Sequence, residues 1–425
     1  MISTSGLHMD QAPPLSIPMR FFATAPLFMG LAGGVLVGWS ADLFVSPLVA
    51  KTVALVHLAV LGWISMTMMG AQYQMIPVLV GRPVPWPHLS PWVHALLVLG
   101  VLGLFLGVWG ELVWLWVAMP CLFLAVGMFV VQIAGALWRA PSRHPTVWAM
   151  GISTLALLAT LTLGLLFLGE YLWGFLPMDR FVWVGLHMTW GLLGWVSVLI
   201  VGVSFQVLPM FYMMPAFPEK YGLRILWGFV LTLLLIPLAL LSLPEIPQML
   251  WLSGLPGVWA MGIYGWQIQR LMRARRRKIK DATLRFWKLG FSCAILAVVL
   301  LLVWPVQFEE EWRFVFGILF LLGWITSIIL GMLYKIVPFL VWFHRFSRLA
   351  GLAQIPMMDD LISKRVANGH FYLHGWTIYF MCGTLLTDWR WLGIPAGVCL
   401  ASSAGVLVYT LWFALKQHPP EVSHP

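Results

Sequence analysis

Residues 185–212 read GLHMTWGLLGWVSVLIVGVSFQVLPMFY, an apolar stretch with a histidine near its start and Gly-Trp at its centre. Its skeleton is Gly-Trp with a second glycine at the eighth position and a proline at the fifteenth position after the first glycine. This skeleton starts at Gly62, Gly194 and Gly323, and the composition predicts only about 0.014 occurrences by chance. The copies lie about 130 residues apart, which predicts three tandem units, at about 20–138, 145–270 and 285–415.

Helical geometry gives the repeated skeleton a common face. At 100° per residue, Gly194, Gly202 and Pro209 fall within about 80° of one another. Small residues on one face let a neighbouring membrane helix approach closely. His187 projects onto this face, at about 20°, whereas His57 projects to about 220° relative to Gly62 and lies off the corresponding face. His187 is therefore expected to face an interior.

The composition predicts an all-α polytopic membrane protein. The chain is 61% hydrophobic and 9% charged, with a mean hydropathy of +0.91, which is more apolar surface than a soluble core can use. Twelve apolar runs are long enough to span a bilayer. They lie at about 20–40, 48–80, 91–110, 112–136, 147–169, 181–213, 223–243, 248–269, 286–306, 313–343, 370–387 and 391–414. Four runs per unit place each Gly-Trp pair in the second, sixth or tenth.

The distribution of basic residues predicts the orientation. With both termini inside, four of the 25 Lys and Arg residues lie in outer loops: Lys51, Arg180, Arg313 and Arg390. An excess of basic residues on the inner side is typical of membrane proteins, so cytoplasmic termini are expected. The densest basic run lies in the inner loop 270–288. It is interpreted as an anchor at the bilayer surface, with docking of anionic lipid or of another membrane subunit as the alternative.

Two features exclude other classes of site. The four cysteines form no CxxC pair and no CxxCH, which argues against a thiolate metal site and covalently attached haem. No phosphate-binding loop or nucleophile elbow is present, and no nucleic acid is expected as a partner.

The inner connection 344–369 carries His344, and His370 and His374 follow it one helical turn apart. Such a pair can bind a metal, but interfacial side chains at a helix end are the favoured interpretation.

The sequences of the repeated helices resemble those of subunit I of the haem–copper oxidases. The resemblance is found in three stretches: HMTWGLLGWVSVLIVGVSFQVLPMF, HLAVLGWISMTMMGAQYQMIPVLVG and KIVPFLVWFHRFS. They look most like short relatives of that superfamily. The resemblance implies twelve helices arranged as three pseudo-threefold units of four. It also implies that His57 corresponds to a haem ligand on the second helix and His187 to a copper ligand on the sixth.

The chain departs from the oxidase pattern at its reaction centre. Residues 313–343 contain no histidine, whereas the family's tenth helix supplies two. The seventh helix lacks the adjacent histidines that bind copper, and Gly191 stands where the family has a tyrosine. One imidazole does not make a three-histidine copper site. The departures therefore disfavour oxygen reduction, and whether the chain is an enzyme stays open.

The histidines and methionines are the candidate ligands. An intramembrane histidine is costly unless it is used or paired, so His187 and His57 are candidate ligands of a b-type haem or, less favoured, of copper. The alternative is a polar group satisfied by a neighbour. Thioethers suit Cu(I) but also fill apolar interiors, and packing is the favoured role of Met210, Met213 and Met214. Lys335, at the repeat position of Gln74 and Gln206, is expected to reach the cytoplasmic surface or to line a polar vestibule.

The leading expectation is a bacterial inner-membrane protein that binds haem b, is related to oxidase subunit I and lacks an oxygen-reducing copper site. Its setting, implied by the resemblance alone, is respiration, nitric oxide handling or oxidase assembly. The first alternative is a transporter or channel for copper or a small solute. The second is a non-catalytic structural subunit that binds a partner through its basic inner loops.

Overall fold

The computed structural model describes residues 11–175, 179–243, 246–276, 278, 281–303, 310–387 and 389–419. Within these residues the chain is almost entirely helical. Twelve long helices, which we number in chain order, are α1 Ser16–Leu43, α2 Ala50–Val80, α3 Pro87–Trp109, α4 Leu112–Trp138, α5 Pro145–Trp173, α6 Arg180–Tyr212, α7 Glu219–Ser242, α8 Pro247–Arg273, α9 Ala282–Val303, α10 Glu311–Arg345, α11 Lys364–Leu386 and α12 Arg390–Lys416.

Ten of these helices are long and apolar enough to cross a membrane. The chain is therefore an all-α polytopic membrane protein, as the composition predicts. The other two, α8 and α11, are of similar length but do not belong to this apolar set. Helix α11 begins at Lys364, six residues before the predicted start at residue 370. The prediction from apolar runs missed these residues because the first turns are polar.

Each Gly-Trp pair lies in a π-helical segment. These segments are Leu58–Ser65 in α2, Thr189–Ser197 in α6 and Leu319–Thr326 in α10. The π geometry leaves backbone carbonyls without their usual α-helical partner and is frequent at functional sites. In α6 the freed position is satisfied locally, because Ser197 Oγ donates to the Leu192 carbonyl at 2.6 Å.

The glycine face of each repeated helix packs against the helix that precedes it. A Cβ built on Gly194 or Gly202 would lie 2.5 or 2.0 Å from an alanine Cβ of α5. A Cβ on Gly323 would lie 2.6 Å from Cys293 Cβ on α9, and one on Gly62 would lie 2.5 Å from Phe28 Cγ on α1. The prediction of close helix approach at the glycine face is therefore confirmed.

The described residues form two compact units. The first holds residues 11–13, the described residues of 68–279 and residues 301–303. The second holds the described residues of 14–67, 280–300 and 308–425. In the first unit α3 packs on α4, α7 on α8, and α5 on both α4 and α6. In the second unit α1 and α11 pack on α12, and α9 packs on α10 through Gly290 and Gly331. The predicted boundaries of the three tandem units stay a prediction.

The inner connection after α10 is shorter than predicted. Helix α10 continues to Arg345, and short 3₁₀ turns at Ser347–Leu349 and Met358–Asp360 lead to α11. The Trp342 Nε1–H donates to the Pro356 carbonyl at 2.9 Å, which holds this connection against the end of α10. Of the N-terminal segment and the basic loop 270–288, residues 1–10, 277, 279 and 280 lie outside the described residues.

Candidate functional site

His57 lies in α2, immediately before the π-helical segment. Its ring is half-buried, and its Nδ1 is 2.7 Å from the Val53 carbonyl oxygen one turn earlier. Because a carbonyl only accepts, Nδ1 must carry the proton, and Nε2 holds the lone pair. Metal-binding histidines are commonly oriented in this way, with one ring nitrogen donating to a backbone carbonyl.

His187 lies in α6, also just before a π-helical segment. Its ring packs edge-on against Phe167 of α5, with 5.9 Å between ring centroids. Its Cε1 would lie 3.2 Å from a Cβ built on Gly164, so the imidazole sits close against the α5 backbone. His187 thus faces the same helix as Gly194 and Gly202, which confirms the predicted face. His187 belongs to the first compact unit and His57 to the second.

His370 and His374 of α11 are the most deeply buried histidines among the described residues, at 1% and 0% exposure. The His370 Nδ1 is 2.7 Å from the Tyr334 hydroxyl of α10, and its Nε2 is 2.5 Å from the Ser403 hydroxyl of α12. The His374 Nε2 is 2.9 Å from the Ser327 hydroxyl. The interpretation of this pair as interfacial side chains at a helix end is therefore wrong.

A single aromatic ring packs beside both imidazoles. The centroid of the Phe286 ring on α9 is 5.8 Å from that of His370 and 5.9 Å from that of His374. The same ring stacks on Tyr334 at 6.1 Å. Farther along α11, Thr377 and Thr384 are also buried. The helix therefore carries a polar stripe into the interior of the second unit, and this stripe lowers its hydropathy.

Lys335, the neighbour of Tyr334 on α10, forms two ion pairs. Its Nζ is 2.9 Å from Asp281 Oδ2 at the start of α9 and 3.2 Å from Asp359 Oδ1 in the inner connection. The lysine side chain is 7% exposed and the two carboxylates are 20% and 28% exposed. The expectation that Lys335 reaches the surface is therefore wrong. The amine stays inside because two carboxylates offset the cost of burying its charge.

The corresponding positions of the first unit carry uncharged polar groups. Gln74 is buried, and its amide oxygen and nitrogen have no hydrogen-bond partner among the described residues. Gln206 lies 3.3 Å from His144 at the start of α5. Burial lowers the pKa of His144, although the Leu79 carbonyl and Glu219 oppose this shift. These residues line the predicted inner side without forming an ion pair of the Lys335 kind.

The other predicted ligands are dispersed. His344 is half-buried near the end of α10, and its Nε2 has no hydrogen-bond partner among the described residues. Met213 is 49% exposed and caps α6 with a positive φ of 49°. Met214 is buried and Met210 half-buried. Their different exposures agree better with packing than with a thioether cluster.

A metal site needs several ligands that converge. Among the described residues no three His, Cys, Asp or Glu side chains are grouped so that they hold a metal ion. His370 already has hydroxyl partners at both ring nitrogens, so metal binding there would break existing hydrogen bonds.

Five groups of this buried network were not singled out by the sequence reasoning: Asp281, Asp359, Tyr334, Ser327 and Ser403. Asp281 and Asp359 stand in polar loops, where carboxylates are usual. Tyr334 lies eleven residues after Gly323 in the repeated Gly-Trp helix, where a tyrosine has no distinguishing neighbours in the sequence. A signal was available in α11, where His370, His374, Thr377 and Thr384 are spaced by four, three and seven residues and so share one helical face.

Comparison with known proteins does not assign the chain to a family. No protein-family model matches the sequence, and no curated protein is significantly similar to it.

Proposed function

We propose that this chain is a membrane haem protein with the twelve-helix architecture of haem–copper oxidase subunit I and without an oxygen-reducing copper site. The observation that carries the proposal is the hydrogen bond between His57 Nδ1 and the Val53 carbonyl. It fixes the tautomer in which Nε2 is the ligating nitrogen. Three pseudo-threefold units are supported by the π-helical segment at each Gly-Trp pair.

In this proposal His57 holds a b-type haem, which supplies one-electron redox chemistry or binding of a diatomic gas. The half-buried His57 ring is oriented by its own helix, and the closely packed Gly62 fixes that helix against α1. His187 is the second candidate ligand, in the other compact unit. Its ring packs against the α5 backbone at Gly164, so ligation there requires a pocket on the remaining side of the imidazole. The proposed setting is a bacterial inner membrane with both termini inside.

A second candidate function is transport of a small solute or copper, as a transporter or channel. The observation that favours it is the set of buried ionisable groups in the second unit, Lys335, His370 and His374. Ionisable side chains inside membrane domains mark pathways for ions or protons more often than they serve packing. A structural subunit that docks a partner through the basic loop 270–288 has no comparable observation in its favour.

The test is an absorption spectrum of the full-length protein, purified in detergent from cells supplied with ample haem. We expect a Soret band and, after dithionite reduction, the α and β bands of a b-type haem. His57→Ala should remove most of the absorbance, whereas His88→Ala, at an exposed position, should leave it intact.

A flat visible spectrum of the wild-type protein would refute the haem proposal and direct attention to copper content and transport. Loss of the pigment in His187→Ala, with His57→Ala unchanged, would refute His57 as the ligand and assign that role to His187.

A further inference from the structure

Helices α7 and α8 form an antiparallel pair in the first unit. Near the middle of the pair, a Cβ built on Gly228 would lie 2.7 Å from Ala260 Cβ. At one end, the ring centroids of Tyr221 and Trp266 are 5.7 Å apart. The first turns of α7 therefore lie beside the last turns of α8, and side chains from both helices meet at this end.

The exposed faces of the two helices change from apolar to basic at this end. Away from it, exposed apolar residues at helical spacing mark these faces: Trp227, Leu231 and Leu234 on α7, and Leu252 and Trp259 on α8. Exposed basic residues continue the same faces into the shared end: Lys220 and Arg224 on α7, and Arg270 and Arg273 on α8. An apolar surface that ends in a basic one is expected where lipid tails give way to headgroups.

Aromatic rings orient the basic side chains. The Lys220 Nζ and the Arg224 Cζ lie 5.3 and 5.6 Å from the centroid of the Tyr221 ring. The Arg270 Cζ lies 5.7 Å from the centroid of the Trp266 ring. Cation–π attraction at these distances restricts side chains that would otherwise move freely in solvent. Because the two rings contact each other, they join the basic groups of both helices into one cluster.

The positive charge of this cluster is not neutralised by the described part of the chain. No described acid forms an ion pair with any of its four basic side chains. Glu219 begins α7, but its charge acts on His144 at the start of α5. Arg273 Nη2 lies 3.5 Å from the Gln269 Oε1, which is uncharged. An anion from outside the chain can therefore neutralise the cluster.

A cleft of about 400 Å³ lies on the α8 side of this cluster. It is lined by Trp266, Gln269, Arg270, Arg273 and Ala274. Its volume is within the range of small-molecule sites, and its lining combines two guanidinium groups with an amide and an aromatic ring. Guanidinium groups bind phosphate oxygens through paired hydrogen bonds. The cleft thus offers the donors that a phosphate group requires.

We propose that this cleft binds the headgroup of an anionic phospholipid. The Arg270 and Arg273 guanidinium groups donate to its phosphate, and the exposed apolar faces of α7 and α8 contact its tails. These faces favour a lipid over a soluble anion, because they lead directly to the basic end. In the predicted orientation this end lies at the inner leaflet, where anionic lipids are found. The proposal does not depend on haem at His57.

The alternative is that these basic residues only set the orientation of the helices in the membrane. That role requires positive charge on the inner side and no particular arrangement. Lys364 and Arg365 at the start of α11 fit it, since both are exposed and neither contacts an aromatic ring among the described residues. The ordered rings and the cleft at the end of α8 go beyond what orientation requires.

The test is native mass spectrometry of the full-length protein in detergent, titrated with dioleoylphosphatidylglycerol or dioleoylphosphatidylcholine. The two lipids have the same tails, and only the first carries a net negative charge. We expect the first molecule of phosphatidylglycerol to bind at least about tenfold more tightly than phosphatidylcholine, because each basic side chain near a membrane surface adds about a factor of five. Equal binding of the two lipids would overturn the proposal.

The double variant Arg270→Gln, Arg273→Gln removes both guanidinium groups of the cleft. We expect it to weaken phosphatidylglycerol binding at least about tenfold. Binding of phosphatidylcholine should change less than about twofold, which also shows that the variant is folded. The matched control, Lys364→Gln with Arg365→Gln, removes the same number of charges and should change phosphatidylglycerol binding less than about twofold. Equal losses in the two double variants would overturn the proposal, because net charge alone would then explain them.

Glycerol phosphate at the same concentration separates a lipid from a soluble anion, since it has the phosphate group and no tails. We expect no adduct of glycerol phosphate. An adduct that is lost in Arg270→Gln, Arg273→Gln would assign the cleft to a soluble phosphate and overturn the lipid as its occupant.

Discussion

Replacing Lys335 by methionine tests whether the ion pairs of the second unit stabilise the fold. The substitution keeps the length of the side chain and removes its charge. Asp281 and Asp359 then face each other's charge across the position of the lost amine, at the junction of α9, α10 and the inner connection. We expect a clear loss of stability, because two partly buried carboxylates are left without their cation.

The distances set the size of this effect. At 2.9 and 3.2 Å, and with an effective dielectric constant of about 20, each contact has a Coulomb attraction of about 5–6 kcal/mol. Desolvation of the lysine and of the carboxylates offsets most of this attraction. Removing one partner of a fully buried pair costs about 3–5 kcal/mol. Because the carboxylates here are 20% and 28% exposed, water relieves part of the penalty, and we expect a loss of about 2–4 kcal/mol.

The assay is unfolding by SDS titration in mixed micelles, with Lys364→Met as the control. Lys364 is an exposed lysine of the same unit, and its replacement should change the free energy of unfolding by less than about 0.5 kcal/mol. Adding Asp281→Asn and Asp359→Asn to Lys335→Met should recover most of the lost stability, since the charges are then removed together. Equal stability of Lys335→Met and Lys364→Met would refute the reasoning, as would a triple variant less stable than Lys335→Met.

Two further predictions concern the first unit. Gly202→Ala should lower the free energy of unfolding by about 1–3 kcal/mol, because its Cβ would lie 2.0 Å from Ala149 Cβ. Gly151→Ala is the control and should not lower it, because the space around Gly151 is open. SDS unfolding of both variants measures the difference. Burial lowers the pKa of His144 below 6.5, so its stabilising contribution is complete above pH 6.5 and is lost as the pH falls below it. His144→Gln should therefore lose less stability than the wild-type protein between pH 7.5 and 5.5 in thermal unfolding, and an equal loss in both proteins would contradict this assignment.

The helices and the glycine face could be predicted from the sequence because both depend on local patterns. Apolar runs of about twenty residues are required by the thickness of the bilayer. The shared face of Gly194 and Gly202 follows from helical periodicity alone, and the structure places it against α5. The π-helical segments could not be predicted in this way. Their extra residue per turn arises from the backbone around the Gly-Trp pair, and no composition rule marks it.

The position of Lys335 could not be predicted from the sequence. A lysine near the inner end of a helix usually extends to the surface, because its flexible stem lets the charge reach water. Here the two carboxylates that keep it inside are 54 residues before and 24 residues after it in the chain. Neither Asp281 nor Asp359 is distinguished from other loop carboxylates by its neighbours in the sequence. Only the fold brings the three side chains together.

The three copies of the repeated skeleton suggest how one backbone came to carry different chemistry. The glycines, which determine how closely helices pack, recur in every copy. The residues eleven and twelve positions after the first glycine differ among the copies. In α2 these positions hold Tyr73 and Gln74, and in α10 they hold Tyr334 and Lys335. Tyr73 contacts a glutamine of α4, but Tyr334 contacts His370. The Tyr73 hydroxyl therefore has an amide partner, whereas the Tyr334 hydroxyl has an imidazole partner that can accept or donate a proton. Lys335→Gln, which gives α10 the Tyr-Gln pair of α2, should destabilise the second unit as Lys335→Met does, because it removes the cation that Asp281 and Asp359 contact.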